Sequence, residues 1–198
     1  MKIQTYGAEV LGKIAEPVAE VTPELLTTLK GMVPMLSQYH GVGLAAPQVG
    51  ISQRFFVMHP GDKLRYVINP EILESGAAMS EMEEGCLSIP GVHKKVRRPR
   101  RIKVSYTDET GARVEEELKD FPARVFQHEY DHLEGTLFVD RLSPVSRRLV
   151  QRQLDQLAAG QEKKETEKTE TEKKGADKIE TEKKETEKKE TEKKEGTV

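Results

Sequence analysis

The sequence predicts a mixed fold in which helices and strands are segregated rather than alternating. Short segments rich in β-branched or aromatic residues crowd the middle of the chain, and helical apolar periodicity lies on either side of them. No βαβ alternation occurs, which argues against a doubly wound parallel sheet.

The first helix starts at Thr22-Pro23-Glu24, with a hydroxyl at the N-cap, proline at the first helical position and an acid in the first turn. Leu25, Leu26, Leu29, Met32, Val33, Leu36 and Tyr39 then recur at spacings of three and four, a stripe that reads as core. Pro34 falls inside it and is expected to bend or split the helix by removing a backbone hydrogen bond. Strands are expected at Arg54–Met58, Tyr66–Asn69, Glu71–Leu73, His93–Val96, Ile102–Tyr106 and Val114–Leu118. The turn residues Thr107–Gly111 make a hairpin of the last two. A second helix is expected from Phe121-Pro122 to Gly135, a suitable C′ glycine. A third runs from Ser143-Pro144 to Ala159, closed by Gly160, with Leu149, Val150, Leu154 and Leu157 as its apolar face.

Composition divides the chain in two. Of 198 residues, 33% are charged and the net charge is −2. Residues 161–198 alone carry 12 Lys, 12 Glu and one Asp; removing them from 32 basic and 34 acidic residues leaves 20 and 21 in residues 1–160, normal for a globular domain. The expectation is a catalytic-sized domain at 1–160 and a low-complexity Lys/Glu/Thr tail at 161–198. The tail repeats Glu-Thr-Glu-Lys-Lys from Glu180 with almost nothing to bury, so disorder or a solvated, fraying helix is expected. Near-neutral charge argues against a DNA binder held by bulk electrostatics. No run of 18 apolar residues suggests a membrane span. The segment Met1–Gly7 lacks signal or transit character, and one cysteine fits a reducing compartment, so the reading is cytoplasmic.

Three motifs carry chemistry. In His128-Glu129-Tyr130-Asp131-His132, two imidazoles four residues apart share a helical face and can meet one metal ion, and Glu129 lies beside that face where a base is needed. A hydrolytic metal needs a third ligand, and no glutamate follows Glu134 until Glu162, so the ligand comes from upstream. Cys86, in Glu84-Gly85-Cys86-Leu87-Ser88, is the best candidate; His40, His59 and His93 are rivals without a supporting motif. The segment Gly41–Gly50 offers small residues for a close backbone approach, and Gln48 offers an amide that can donate to an oxyanion.

With Gly41–Gln48, Glu84–Ser88 and His128–His132 standing in this order, residues 1–160 resemble the peptide deformylases. The resemblance implies an α+β fold: antiparallel β-sheets packed around a central metal-binding helix, with an N-terminal and a C-terminal helix. It implies Cys86, His128 and His132 as metal ligands, Glu129 as general base, and Gln48 with the Leu87 N–H as oxyanion donors. Fe²⁺ is the implied cofactor, one divalent ion per chain, with Zn²⁺, Ni²⁺ or Co²⁺ as substitutes. The implied reaction removes the formyl group from N-formylmethionyl nascent peptides and releases formate. Val42, Met82 and Val125 are implied to line the methionine slot, with Gly43 pairing to the peptide backbone. Phe121 is balanced between slot and core. A Glu84–Arg98 ion pair steadying the cysteine turn is also implied, although Arg98 stands in a basic run that reads equally well as a solvated face. At the position of a common family arginine this chain has His93. Arg147, Arg148 and Arg152 on the third helix suggest a ribosome contact through RNA phosphates. The rival readings are a metalloendopeptidase and a non-catalytic interaction protein working through the tail.

Overall fold

The computed structural model describes residues 1–163 and 166. In chain order its main elements are α1 (Pro23–Gln38), β1 (Gly43–Ala45), β2 (Phe55–Met58), β3 (Arg65–Ser75), β4 (Met79–Cys86), β5 (Ile89–Pro99), β6 (Arg101–Thr107), β7 (Arg113–Lys119), α2 (Asp120–Leu133) and α3 (residues 144–163). Five strands form an antiparallel sheet in the order β1-β2-β3-β6-β7, and β4 with β5 forms a separate antiparallel hairpin. Packing divides the chain into a unit Met1–Ala158, which holds every described strand, and a second unit from Ala159.

The four residues of β2 explain the layering. All four are fully buried, because successive side chains enter opposite cores. Phe55 and Val57 join Leu25, Leu29, Met32, Met35 and Leu36 of α1. Phe56 and Met58 join Ala123, Val125, Phe126 and Leu133 of α2. The Phe56 and Phe126 rings meet edge to face at 5.1 Å and pin α2 to the sheet. A third cluster joins Ile89, Val92 and Val96 of β5 to Phe138, Val139, Val150 and Leu154. Thus α2 lies between the five-stranded sheet and the hairpin, as expected for an α+β protein built around its metal-bearing helix.

Several expectations are corrected. The helix α1 runs unbroken through Pro34, with Thr22 Oγ1 accepting from the Leu25 N–H as its N-cap. Pro34 and Lys30 both sit on the exposed side, so the carbonyl that proline leaves unpaired faces water while the buried stripe holds the helix in place. The two strands expected around Pro70 are one, β3, whose register with β6 shifts between Ile68 and Glu71. Asn69 adopts φ 49° there, and its side chain bonds both the N–H (2.8 Å) and the carbonyl (2.7 Å) of Val18. β4 escaped sequence reading because three of its eight residues are acidic. Its signal lay in opposite-charge partners across the hairpin, Glu81 with Arg97, Glu83 with Lys95 and Glu84 with Lys94. α2 ends as expected, with Gly135 at φ 65° just past its cap. α3 is not closed by Gly160 but continues to residue 163, since one glycine costs a helix only about 1 kcal/mol. Its buried face carries Val150 and Leu154, whereas Leu149 is 71% exposed, one residue off that face. The expected behaviour of the tail lies outside the described residues, apart from 161–163 and 166.

α2 is tied to the hairpin by charge as well as by packing. Glu84 on β4 accepts from Arg98 on β5 at 2.7 and 2.8 Å, from Arg124 on α2 at 2.8 Å, and pairs with His128 Nδ1 at 2.9 Å. Arg98 also donates to Asp131 at 2.7 Å, and Arg141 closes the chain on Asp131. Arg124 further donates to the carbonyls of Val96 and Ser80. Glu84, Arg98, Arg124 and Asp131 are all buried. Burial alone would raise the Glu84 pKa, but its hydrogen bonds to Arg98 and His128 outweigh it and hold the carboxyl well below the usual range.

A folded-state pKa below the unfolded one makes this pairing fully stabilising above the ordinary value of 4.5, and the stabilisation is lost as pH falls below it. Glu84→Gln is therefore expected to lower unfolding stability at pH 7 by about 3–5 kcal/mol, because two buried arginines lose their carboxylate. Denaturant titrations between pH 3 and 7 check both points: the variant should be the weaker at pH 7 and should show the flatter acid limb.

Candidate metal centre

Each functional side chain is presented by a different local device. Cys86 ends β4 and pairs with Ile89, so Leu87 and Ser88 form the two-residue turn of the β4–β5 hairpin. Leu87 is the first central residue of this turn, whose N–H a tight turn leaves outside its own closing bond. Four-residue spacing on α2 brings His128 and His132 to one face, with ring centroids 5.3 Å apart. Ligand atoms of Cys86, His128 and His132 all lie within 4.8 Å of one another, the one such group of three among the described residues. Cys86 Sγ stands 3.3 Å from His132 Nε2. His40, His59 and His93 belong to no such group.

The surroundings fit a divalent cation. His128 gives its Nδ1 to Glu84, which leaves Nε2 as the ligand nitrogen, the usual carboxylate–histidine arrangement at metal sites. The site favours positive charge. Burial opposes protonation of His128, yet Cys86, Glu84 and Glu129 outweigh it and hold its pKa well above the ordinary value. His132 goes the other way: burial, with His128 and Arg98 nearby, keeps it neutral, the form that ligates. One thiolate and two imidazoles leave a fourth position open, as hydrolytic sites require.

Gln48 closes one side. It lies in a 3-10 turn after β1, and its Oε1 accepts from the Ala45 N–H at 2.8 Å. That bond turns Nε2 toward Cys86 Sγ (3.4 Å) and Ser88 Oγ (3.3 Å). Glu129 is buried, with Oε2 unpaired. Burial is the chief reason its pKa is pushed up to about 7, with the negative charges of Glu84 and Asp131 adding and His128 and Arg98 opposing. Its Oε1 occupies the space where Gly43 lacks a side chain: a Cβ there would sit 2.2 Å from it. The glycine expected to admit a substrate backbone thus also admits the carboxylate.

A cavity of about 790 Å³ opens over this cluster. Val42, Gly43, Gln48, Cys86, Leu87, Val125, His128 and Glu129 line it, together with Phe121 and His93. Met82 does not: it faces Val96 across the hairpin and is absent from the cavity wall. The structure thus places nine of the ten expected site residues at one locus once His132 is included through its cysteine contact. The expected Glu84–Arg98 pair forms, buried rather than solvated. Sequence reading missed Arg124, Asp131, Arg141 and Ser88 as supports. Asp131 was within reach of it, since it lies inside the histidine motif.

The family model described as polypeptide deformylase matches residues 1–148. A peptide deformylase from Thermotoga maritima is 50% identical over 157 residues, covering 79% of this chain and 96% of its own length. One from Fusobacterium nucleatum is 47% identical over 156 residues, covering 77% of this chain and 90% of its own. Among solved structures, the Thermotoga maritima peptide deformylase superposes with a TM-score of 0.71 at 52% identity, covering 72% of this chain and 97% of that one. A Plasmodium falciparum peptide deformylase in complex with inhibitor superposes with a TM-score of 0.74 at 38% identity, covering 79% and 98%. The chain belongs to the polypeptide deformylase family, metal-dependent hydrolases that remove the N-formyl group from the N-terminal methionine of newly synthesised proteins and release formate.

Proposed function

We propose that residues 1–160 of this chain are the catalytic domain and that Cys86, His128 and His132 hold Fe²⁺, with Zn²⁺, Ni²⁺ or Co²⁺ able to replace it. The observation that carries this reading is the three-ligand cluster beside a buried carboxylate with a free oxygen. When bound, the ion would supply Lewis-acid polarisation of the attacking water and the formyl carbonyl. Glu129, poised near neutrality, takes the proton of that water and returns it to the departing methionine amine. Gln48 Nε2 and the Leu87 N–H meet the negative charge that grows on the formyl oxygen. β1 is an edge strand, so its open side can pair with an extended peptide at Gly43. Val42, Val125 and Phe121 supply apolar wall for the methionine side chain. Met82 lies off that wall, so no contact with substrate is assigned to it.

No described helix is long and apolar enough to cross a membrane. A cytoplasmic location and a ribosome contact are part of the proposal. Arg148 and Arg152 are exposed on α3, beside exposed Val145 and Leu149. Arg147, the third arginine of the expected contact, is committed instead to the Tyr6 hydroxyl.

Anaerobic purification followed by metal analysis and formate release from formyl-Met-Ala tests the site. Cys86→Ala should lose both metal and activity. Glu129→Gln should keep the metal and lose activity by at least about 100-fold. A metal-free parent, or an active Cys86→Ala, would remove the assignment. Gly43→Ala should bind metal normally yet lose roughly 100-fold in kcat, because its methyl displaces the Glu129 carboxylate. For the ribosome, co-sedimentation should fall with salt and vanish on charge reversal at Arg148 and Arg152; pelleting indifferent to both would reject the contact.

A further inference from the structure

The two proposed oxyanion donors sit on parts of the fold that share no sheet. Gln48 follows β1 of the five-stranded sheet, and Leu87 turns the separate β4–β5 hairpin. Oxyanion stabilisation needs donors held within a few tenths of an ångström of one geometry. The side-chain bonds between them, Gln48 Nε2 to Cys86 Sγ at 3.4 Å and to Ser88 Oγ at 3.3 Å, are both long and make a weak brace for that purpose.

The N-terminal segment supplies a stronger one. The Gln4 N–H donates to the carbonyl of Gln48 at 2.8 Å, and the Tyr6 N–H donates to the carbonyl of Ser88 at 2.8 Å. Only Thr5 separates these two donors, so they stand at most about 7 Å apart, and that spacing is imposed on both loops. Thr5 itself lines the cavity, as do Lys2 and Ile3. The segment is anchored at both ends. Ile3 packs into the α1 cluster. Tyr6 packs into the cluster shared by β5 and α3, accepts from Arg147 at 3.0 Å, and lies 5.9 Å beneath its guanidinium.

We infer that Gln4–Tyr6 is a positioning strap, whose backbone N–H groups set the separation of the Gln48 and Leu87 donors for the deformylation reaction. This rests on the assignment of Gln48 and Leu87 given above. The Gln4 and Tyr6 N–H groups bond the carbonyls of Gln48 and Ser88, neither of them a metal ligand, so the strap acts through the two loops it ties. Removing a strap bond should therefore lower kcat while leaving metal binding and KM in place.

Gln4→Pro removes the N–H bonded to Gln48, Gln4→Ala retains it, and deletion of residues 2–5 severs the strap by removing Gln4 and Thr5. In the full-length protein, kcat and KM for formyl-Met-Ala are measured beside the visible absorption of the Co²⁺-loaded forms. Gln4→Pro should lose tenfold or more in kcat with KM within twofold, the deletion should lose at least as much in kcat, both with the Co²⁺ bands unchanged, while Gln4→Ala stays within twofold of the parent. Unchanged kcat in Gln4→Pro and the deletion would overturn the strap. So would loss of the Co²⁺ bands or failure of both to fold, since the segment would then be only part of the scaffold. A parent that releases no formate would instead overturn the deformylase reading.

Discussion

The site depends on one buried carboxylate. Glu84 is taken out of water in a position where solvation is lost from every side, and it is tolerated only because Arg98, Arg124 and His128 converge on it. Those partners come from β5 and α2, so satisfying a single charge fixes the hairpin against the helix. The same bond selects which nitrogen of His128 faces Cys86. Asp131, one residue from the second histidine, carries the network on through Arg98 to Arg141. Ligand orientation and element packing are thus one electrostatic requirement.

Apolar packing sets the other half of the geometry. The fully buried β2 places Phe56 against Phe126 and thereby holds α2 on the sheet. β1, paired to β2 through Gly43–Ala45, is brought over the helix at the point where Glu129 projects. Gly43 is the contact between these systems: with no Cβ it lets a strand edge and a buried base occupy adjoining space. The cost of leaving Glu129 Oε2 without a partner is useful here, because desolvation brings its pKa to about 7, the range in which a carboxylate can both take and return a proton.

What could be read from sequence was local. The N-cap of α1, the C′ glycine of α2 and the shared face of the two motif histidines depend on neighbours within a few residues. The hidden features were non-local or depended on partners. β4 reads as a polar loop until its glutamates meet the basic residues of β5. Arg98 looks like any member of its basic run until it is seen buried at 2% exposure. Pro34 predicts a broken helix on local grounds, and a buried stripe on the opposite side keeps it whole.

By itself the sequence determined which residue types stand at which chain positions: two histidines four apart, a base between them, one cysteine following a glycine, and a glutamine after a run of small residues. Helical periodicity and ligand chemistry act over short range, and so the reaction class was legible. Tertiary structure decided how segments 40 residues apart come to share one cavity. It moved Met82 off the cavity wall, buried Arg98, assigned Arg147 to Tyr6, and laid the N-terminal strap across the two loops. These outcomes turn on burial, and burial belongs to the whole fold: a charge or a backbone N–H acquires its role only when folding removes water and leaves one partner within reach.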